Sequence, residues 1–489
     1  MPTEEDLIAE RKRKREELKK LDVNPYPYSY QRSHSSIQVQ EQWGKLAPEE
    51  RTQDGVKVAG RIVGLRRMGK ATFLHVQDQD GRLQIYFKFD DLPTTYDQLK
   101  LADIGDFLGI EGFVFKTKTG EVTVWAKKFE ILTKALRPLP EKWHGLQDIE
   151  LRYRKRYVDL IVNPDVKKAF IARAKIIDTI RHELSKKGFI EVETPIVQAI
   201  YGGASAKPFK THLNSLKMDA FLRVSPELYL KRLLVGGFEK VFEVAKNFRN
   251  EDIDRTHNPE FSMIEIYQAY GDFNDMKEMI MDLYVAAAKA VHGSTKFEYQ
   301  GTVIDVKKPW QSYTMVEALQ KFAGVDAGKL TDKDLSKLCQ QHKLEVQENP
   351  SKGMLIQALF EELVEEKLVQ PTFITHHPIE STPLCKPCRE PHLKEHFIER
   401  FEPYVAGMEI GNAYSELNDP VLQRTLLEDQ AKQLRAGSEE AHPMDEDFVQ
   451  AIEYGMPPTG GLGFGIDRMI MLLTNNPSIR DVIFFPFMK

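Results

Sequence analysis

The sequence predicts an α+β protein in which an N-terminal five-stranded β-barrel precedes a larger body built on an antiparallel sheet with flanking helices. Three observations carry that expectation. Short β-type runs separated by turn signals occupy residues 56–132, an amphipathic helix feeding a proline-terminated strand follows, and a glycine-rich strand running into an apolar helix lies near the C-terminus. A chain of 489 residues exceeds one ordinary core, so two or three domains are expected. Hydrophobic residues at 42% and charged residues at 29% exclude a disordered chain. The formal charge of −5 leaves a nucleic-acid partner open, because a large acidic body masks a local basic surface.

The first element is a helix from about Glu4 to Leu21, dense in Arg and Lys and ending before Asn24, Pro25 and Pro27. It reads either as a solvated helix packed through Leu7, Leu18 and Leu21 or as a contact for RNA phosphates. The N-terminal stretch lacks the apolar core of a secretory signal and carries more acid than a transit peptide, and no run approaches about 18 uncharged apolar residues. A cytoplasmic protein without a membrane span is expected.

Candidate strands begin at Val56, Thr72, Leu83, Phe107 and Val122, with turns at Asp80-Gly81 and Thr119-Gly120. Five strands in about 75 residues, with a polar stretch between the third and fourth, fit an OB-type barrel, a fold that often binds oligonucleotides. Arg66 and Arg67 read as a turn before the second strand. Pro138 to Glu141 reads as a linker. In the body, Phe170, Ala174, Ile177, Ile180 and Leu184 recur at helical spacing, Gly188 stops that helix, and Phe189 to Pro195 reads as a strand. Residues from about Thr331 to Glu366 read as helical. The resulting segments are 1–30 (basic helix), 31–138 (barrel), 139–150 (linker) and 151–489 (body).

Chemistry concentrates in two places. A strand from Val241 delivers Arg249 and Glu251, a polar loop holds His257 and Asn258, and a returning strand sets Phe261, Met263, Glu265 and Tyr267 on one face by period-two alternation. Gly460, Gly461, Gly463 and Gly465 then precede Asp467 and Arg468; the glycines permit close backbone approach and the arginine brings a charge that does not titrate. Neither a Walker lysine nor a Rossmann order accompanies them. In order, the helix–strand–Pro195 unit, the Arg249 hairpin and the Gly460–Arg468 run resemble the three signature motifs of class II aminoacyl-tRNA synthetases, the first of them the dimer-forming motif. The resemblance covers nearly the whole chain and implies a class II synthetase catalytic domain over 151–489 and an anticodon-binding OB-fold over 31–138.

Within that class, Gly203, Glu227, Glu265, Tyr267, Asn412, Tyr414 and Glu416 match the pattern of lysyl-tRNA synthetases. The residues support it on their own terms. Lysine carries two ammonium groups, and a pocket for them needs more than one anion. Glu227 opens a helix, Glu265 lies on the returning strand, and Asn412, Tyr414 and Glu416 alternate along one strand face. Each glutamate alone would read as a surface ion pair worth under about 1 kcal/mol.

The resemblance implies that Glu227, Tyr267 and Glu416 hold the side-chain ammonium, with Asn412 and Tyr414 beside them, and that Gly203 and Glu265 hold the α-amino group. It places Arg249 on both the lysine carboxylate and the ATP α-phosphate. Glu251, His257, Asn258, Phe261, Glu409, Ile410 and Arg468 complete the ATP site, Glu402 and Glu409 hold Mg²⁺, and Arg249 and Arg468 are catalytic. Phe73 and Gln84 match the anticodon-reading pair, and either could instead be barrel packing. Lysine, ATP, tRNA(Lys) and a second copy of the chain are the implied partners. Asparagine and aspartate synthetases are opposed by Glu227 and Glu416, a protein-lysylating paralogue would lack the barrel, and a non-catalytic RNA-binding paralogue would lose Arg249 and Arg468.

One stretch departs from the family. Thr382-Pro-Leu-Cys385-Lys-Pro-Cys388 replaces the usual Ser-Pro-Leu-Ala or Ser-Pro-Leu-Ser followed by a basic residue. With His392 and His396 it imitates a zinc site, which needs four converging ligands; an exposed reactive thiol pair and an inert variation are the other readings. Three cysteines in all exclude a disulfide framework.

Overall fold

The computed structural model describes residues 2–140, 146–344, 346, 350–435 and 441–489. The chain divides into two units, Met1–Leu146 and Gln147–Lys489. Much of the expected linker, 139–150, lies outside the described residues.

In the first unit, α1 (Glu4–Lys20) and α2 (Ser36–Trp43) accompany five strands, β1 (Arg51–Met68), β2 (Ala71–Gln77), β3 (Arg82–Lys88), β4 (Phe107–Lys116) and β5 (Val122–Thr133). They close into a barrel in the order β1-β2-β3-β5-β4, with β4 returning to β1. Alternation sends Leu74, Val76, Leu83, Ile85 and Phe87 into the core and leaves Phe73, His75, Gln84 and Tyr86 half-buried between them.

Two expectations change here. Arg66 and Arg67 lie in β1, paired with Phe73 and Thr72, because the chain stays extended until Gly69, whose φ of +58° makes the turn. Of the three leucines expected to seat α1, only Leu18 is wholly buried; Leu7 and Leu21 are 36% and 54% exposed. Polar contacts hold the helix instead. The Arg11 guanidinium donates to the carbonyls of Ile104, Ala135 and Arg137, and Lys14 pairs with Asp103 at 2.6 Å. Deeper in the same unit, the Lys134 ammonium is fully buried between Asp103 (2.5 Å) and Asp106 (2.7 Å).

The second unit is built on a nine-stranded sheet. Its elements include α3 (Val166–Lys186), β6 (Ile190–Glu191), α4 (Glu227–Val235), β7 (Lys240–Phe248), β8 (Glu260–Ala269), α5 (Phe273–His292), β9 (Gln311–Thr314), β10 (Thr372–Pro378), β11 (Phe397–Val405), β12 (Gly411–Ser415), β13 (Thr459–Gly465) and α6 (Ile466–Leu473). The order is β9-β10-β11-β12-β13-β8-β7-β6, with Met408–Glu409 added beside β11. The terminal pairs are parallel and the pairs between them antiparallel. Apolar residues of α3, α5 and α6 pack with Ile264, Ile266, Leu462 and Phe464 in one core, so Glu265 and Tyr267, alternating with Ile264 and Ile266, are left for the opposite face.

The apolar stripe of α3 follows the expected one at Phe170, Ile177, Ile180 and Leu184, with Ala169 and Ile176 added, and departs from it at Ala174, which is exposed. Arg173 occupies the gap in that stripe, donating to Asp467 and to Ser262 Oγ (2.9 Å). The strand expected over Phe189 to Pro195 contracts to Ile190–Glu191. Past it, polar groups leave the ladder: Thr194 Oγ1 donates to Glu243 (2.7 Å), and its carbonyl accepts from Arg223. The helical stretch after Thr331 is two helices, Asp332–Gln341 and Lys352–Leu363, capped by Thr331 and Ser351; residues 345 and 347–349 between them lie outside the described residues. Among the described residues no helix is long and apolar enough to cross a membrane.

Removing one member of a buried ion cluster leaves the other charges uncompensated, a loss of about 3–5 kcal/mol. Lys134→Met is therefore expected to destabilise the barrel by that order, read as faster amide hydrogen exchange in β4 and β5, while exchange in α5 stays unchanged. Equal protection in both strands would show that the cluster contributes little.

Candidate active site

Register builds the floor of the site. Glu265 of β8 lies opposite Gly463 of β13, which lies opposite Asn412 of β12; one step along, Tyr267, Gly461 and Tyr414 form the next row. Glycine in the middle strand lets the outer side chains close over it. A Cβ at Gly461 would fall 1.9 Å from Glu416 Oε1 and 2.7 Å from the Tyr267 ring, so no other residue fits. The result is a cavity of about 430 Å³, lined by every residue that the resemblance assigns to lysine, ATP or Mg²⁺.

One end is acidic. Gly203, at φ +88°, passes over Glu227, and a side chain there would meet Glu227 Cβ at 2.9 Å and Ser225 Oγ at 3.0 Å. Ser225 Oγ and Tyr267 OH donate to the two oxygens of Glu265 at 2.7 and 2.9 Å. Glu416 follows β12 rather than belonging to it, and its Oε1 is buried without a hydrogen-bond partner. Burial pushes the Glu265 and Glu416 carboxyls up to about 8, with the charge of Glu227 adding to the effect. Asn412 and Tyr414 are joined by a 2.7 Å hydrogen bond.

Sequence reasoning missed the cation at this end. Lys231, wholly buried on α4 one turn after Glu227, places its Nζ 2.6 Å from Glu227 and 2.5 Å from Glu416. Burial alone would lower the Lys231 pKa; Glu227 and Glu416 outweigh it and raise it. Its only signal was the i, i+4 spacing from Glu227, which also describes a solvated helix face. Arg400 was missed too: from β11 it holds Glu402 and donates to Asn412 Oδ1 at 3.0 Å.

The other end carries the arginines. Arg249 lies at the end of β7, its guanidinium 5.1 Å from the centroid of Phe261 and its Nε buried without a partner. Arg468 sits in the first turn of α6, donating to the Glu409 carbonyl and lying 3.3 Å from the Glu409 carboxylate and 3.2 Å from His257 Nε2. Asp467 anchors that turn by accepting from Ser262 N (2.7 Å) and Arg173. Asn258 Oδ1 is buried without a partner, Glu251 accepts from Lys207 N (3.1 Å), and Ile410 joins Pro403 and Gly465 through its backbone. Glu402, bonded by Tyr404 OH at 2.8 Å, and Glu409 repel one another, and burial with that repulsion raises the Glu409 carboxyl. Glu365, unnoticed in the sequence, joins this acidic patch and is pushed up to about 7 by burial and by Glu409.

On the barrel, Phe73 packs against Tyr86 with ring centroids 4.8 Å apart, while Gln84 donates to Glu121 (2.6 Å) and accepts from Thr123 (2.8 Å). The cysteine readings change. Cys385 and Cys388 are both 2% exposed, and burial raises both thiols, which overturns an exposed reactive pair. Cys385 is bridged to the backbone of Glu416, whereas His392 and His396 are exposed, so those four side chains form no ligand set among the described residues.

Comparison with known proteins agrees with this geometry. Residues 148–489 match the family described as tRNA synthetases class II (D, K and N), and residues 56–132 match an OB-fold nucleic acid binding domain. A lysine–tRNA ligase of Pelotomaculum thermopropionicum is 51% identical over 99% of this chain and 95% of its own length. Those of Carboxydothermus hydrogenoformans and Moorella thermoacetica are 48% and 47% identical, over 99% and 100% of this chain and 98% and 99% of theirs. With its OB-fold, its glycine-floored cavity and these matches, the chain belongs to the class II tRNA synthetases of the D, K and N group.

Proposed function

We propose that this protein is a lysine–tRNA ligase, which activates L-lysine with ATP as lysyl-adenylate and transfers the lysyl group to tRNA(Lys). The charge count at the acidic end carries this reading. Three carboxylates, Glu227, Glu265 and Glu416, face one resident cation, Lys231, which leaves two carboxylates able to ionise against incoming cations. L-Lysine brings two ammonium groups. Its carboxylate needs a cation, and Arg249 stands at the other end of the cavity. Aspartate or asparagine would leave those anions buried and unpaired. Rejecting a diamine one methylene shorter is harder, worth roughly 1 to 3 kcal/mol.

In this reading Glu416 Oε1, buried and unpartnered, accepts from the side-chain ammonium together with Glu227 and Tyr267, while Asn412 and Tyr414 close the wall beside it. Glu265 and the Gly203 backbone hold the α-amino group. A lysine carboxylate oxygen then attacks the α-phosphorus, the bond to the β-phosphate oxygen breaks, and pyrophosphate leaves. The carboxylate is already ionised, so alignment and charge neutralisation do the work without a general base. Arg249 bridges carboxylate and α-phosphate, a use that fits its unpartnered Nε. Phe261 stacks on adenine, Glu251 and the Ile410 backbone meet its edge, and Arg468, His257 and Asn258 hold the phosphates and nucleotide. Glu402 and Glu409 would hold Mg²⁺, whose oxygen preference suits two opposed carboxylates, and bound there it neutralises phosphate charge. A hydroxyl of the terminal tRNA ribose next attacks the acyl carbon and AMP departs.

The barrel, with the N-terminal segment that carries α1, reads the anticodon in this scheme. Phe73 offers a ring for stacking and Gln84 an amide for an unpaired uracil, with exposed Arg66 paired to Phe73 across the ladder for phosphate. The enzyme acts as a cytoplasmic homodimer. Support for the dimer comes from solvent-exposed apolar residues of the first motif: Ile171 on α3, Ile190 on β6, and Ile196 and Val197 beyond it.

Amino-acid-dependent pyrophosphate exchange is expected with lysine and with none of the other nineteen; exchange with none at all would sink the enzyme reading. Glu416→Gln should lower kcat/KM for lysine by on the order of a hundredfold with little change in KM for ATP, as expected when one acceptor of a buried ammonium is lost. Lysine binding should also release protons. Without substrate, Glu265 and Glu416 titrate near 8, so below that pH they are largely protonated and must ionise to receive ammonium groups. Lysine affinity is accordingly expected to rise from pH 6 to 8.5, and titration calorimetry at pH 7 in buffers of different ionisation enthalpy should report proton release; a buffer-independent heat would contradict it. Sedimentation should give about twice the 56.3 kDa chain mass, and a monomer would remove the dimer.

A further inference from the structure

Outside the cavity, the β10–β11 ladder is interrupted between Thr375 and His377, where Glu399 and Arg400 of β11 together face one residue of β10, His376, at φ +58°. That backbone region is uncommon for a residue with a side chain, and such interruptions re-aim side chains. His376 lies here beside the chain that follows Cys385. A nitrogen of His376, the sulfur of Cys388 and a carboxylate oxygen of Glu390 all lie within 4.8 Å of one another. Two further observations set this apart from an accidental cluster. Glu390 Oε2 is buried with no hydrogen-bond partner, and Cys388 is 2% exposed. Thr375 Oγ1 lies 2.8 Å from His376 Nδ1, which occupies one ring nitrogen and leaves Nε2 for another partner.

We propose that His376, Cys388 and Glu390 form a binding site for one borderline-soft divalent cation, zinc by preference, at the edge of the catalytic body. The donor set is one nitrogen, one sulfur and one oxygen, which suits zinc and excludes magnesium and calcium, since those cations take oxygen ligands. Zinc bonds of about 2.0–2.3 Å place tetrahedral donors roughly 3.3–3.8 Å apart. Closing the present spacing asks for shifts of about 1 Å or less at each ligand. Water completes the fourth position. A thiolate and a carboxylate balance the dication, and the orphaned Glu390 oxygen gains a partner. The Thr375 hydroxyl fixes the His376 ring, as outer partners of metal-bound histidines do.

The ion would stiffen one wall of the enzyme. The segment that carries Cys388 begins at Cys385, paired with the Glu416 backbone, and continues to Arg389, which is bonded to Glu399 and Asp272 (2.7 Å). A metal tying Cys388 and Glu390 to His376 of β10 would close that segment at a third point.

The test uses the untagged full-length protein, stripped with a chelator, dialysed, and titrated with Co²⁺ or Zn²⁺ alone. One equivalent per chain and a thiolate-to-cobalt charge-transfer band in the near ultraviolet are expected. Cys388→Ser should abolish the band, and His376→Ala and Glu390→Gln should weaken Co²⁺ affinity by about tenfold or more; Cys339→Ser should keep both stoichiometry and band. His376→Ala, whose circular dichroism reports folding, carries the test if Cys388→Ser does not fold. Absence of the band from the wild-type chain, a band that survives Cys388→Ser, or His376→Ala binding as wild type would each overturn the proposal. Cation binding at Glu402 and Glu409 cannot imitate this result, because among the described residues no cysteine lines that cavity.

Discussion

The buried contact of Lys231 with Glu227 and Glu416 is the constraint on which the rest of the site depends. Two carboxylates from distant segments, one on α4 and one just beyond β12, cannot stay ionised side by side in a place without water. A wholly buried ammonium between them makes their closeness tolerable and ties the helix to the sheet. It does so incompletely. One oxygen of Glu416 keeps no partner, and Glu265 is held at a high pKa, so the cavity holds carboxyl groups that ionise when a cation arrives. A pocket poised in this way selects a ligand by charge before shape.

The same logic repeats at larger scale. The glycines of β13 form a floor low enough for residues of β8 and β12 to meet above it, and Asp467, bound by Ser262 and Arg173, turns α6 so that its next residue, Arg468, faces the arginine end. Polar pins decide positions that apolar packing leaves free, because hydrophobic contact is non-directional and hydrogen bonds are not. In the first unit, Arg11 and Lys134 perform a similar role for α1 and the barrel. A helix dense in Arg and Lys can therefore be read as surface or as an RNA contact, when three backbone carbonyls in fact hold its central arginine.

Much of the architecture was legible because it rests on periodicity. Strand alternation located all five barrel strands, and the three-motif order located the cavity. Misreadings fell where the local pattern carried two meanings. Ala174 fits an apolar stripe by spacing, yet the half-buried position beside it belongs to Arg173, whose charge is met only in three dimensions. Phe189 to Pro195 looks like a full strand, yet an edge strand needs a neighbour for its length, and Arg223 with Glu243 claims the chain first.

The sequence by itself determined the order of elements, the family, and many of the side chains that line the cavity, since all of these follow from residue types at fixed spacings along one chain. Only the tertiary structure decided how those charges are balanced. It brought Lys231 between two glutamates, set Arg400 against Glu402, and parted Cys385 from Cys388 so that one lies by Glu416 and the other by His376. The physical reason is that burial and Coulomb energy depend on distances between segments far apart in sequence, and those distances exist only once the sheet has closed around them.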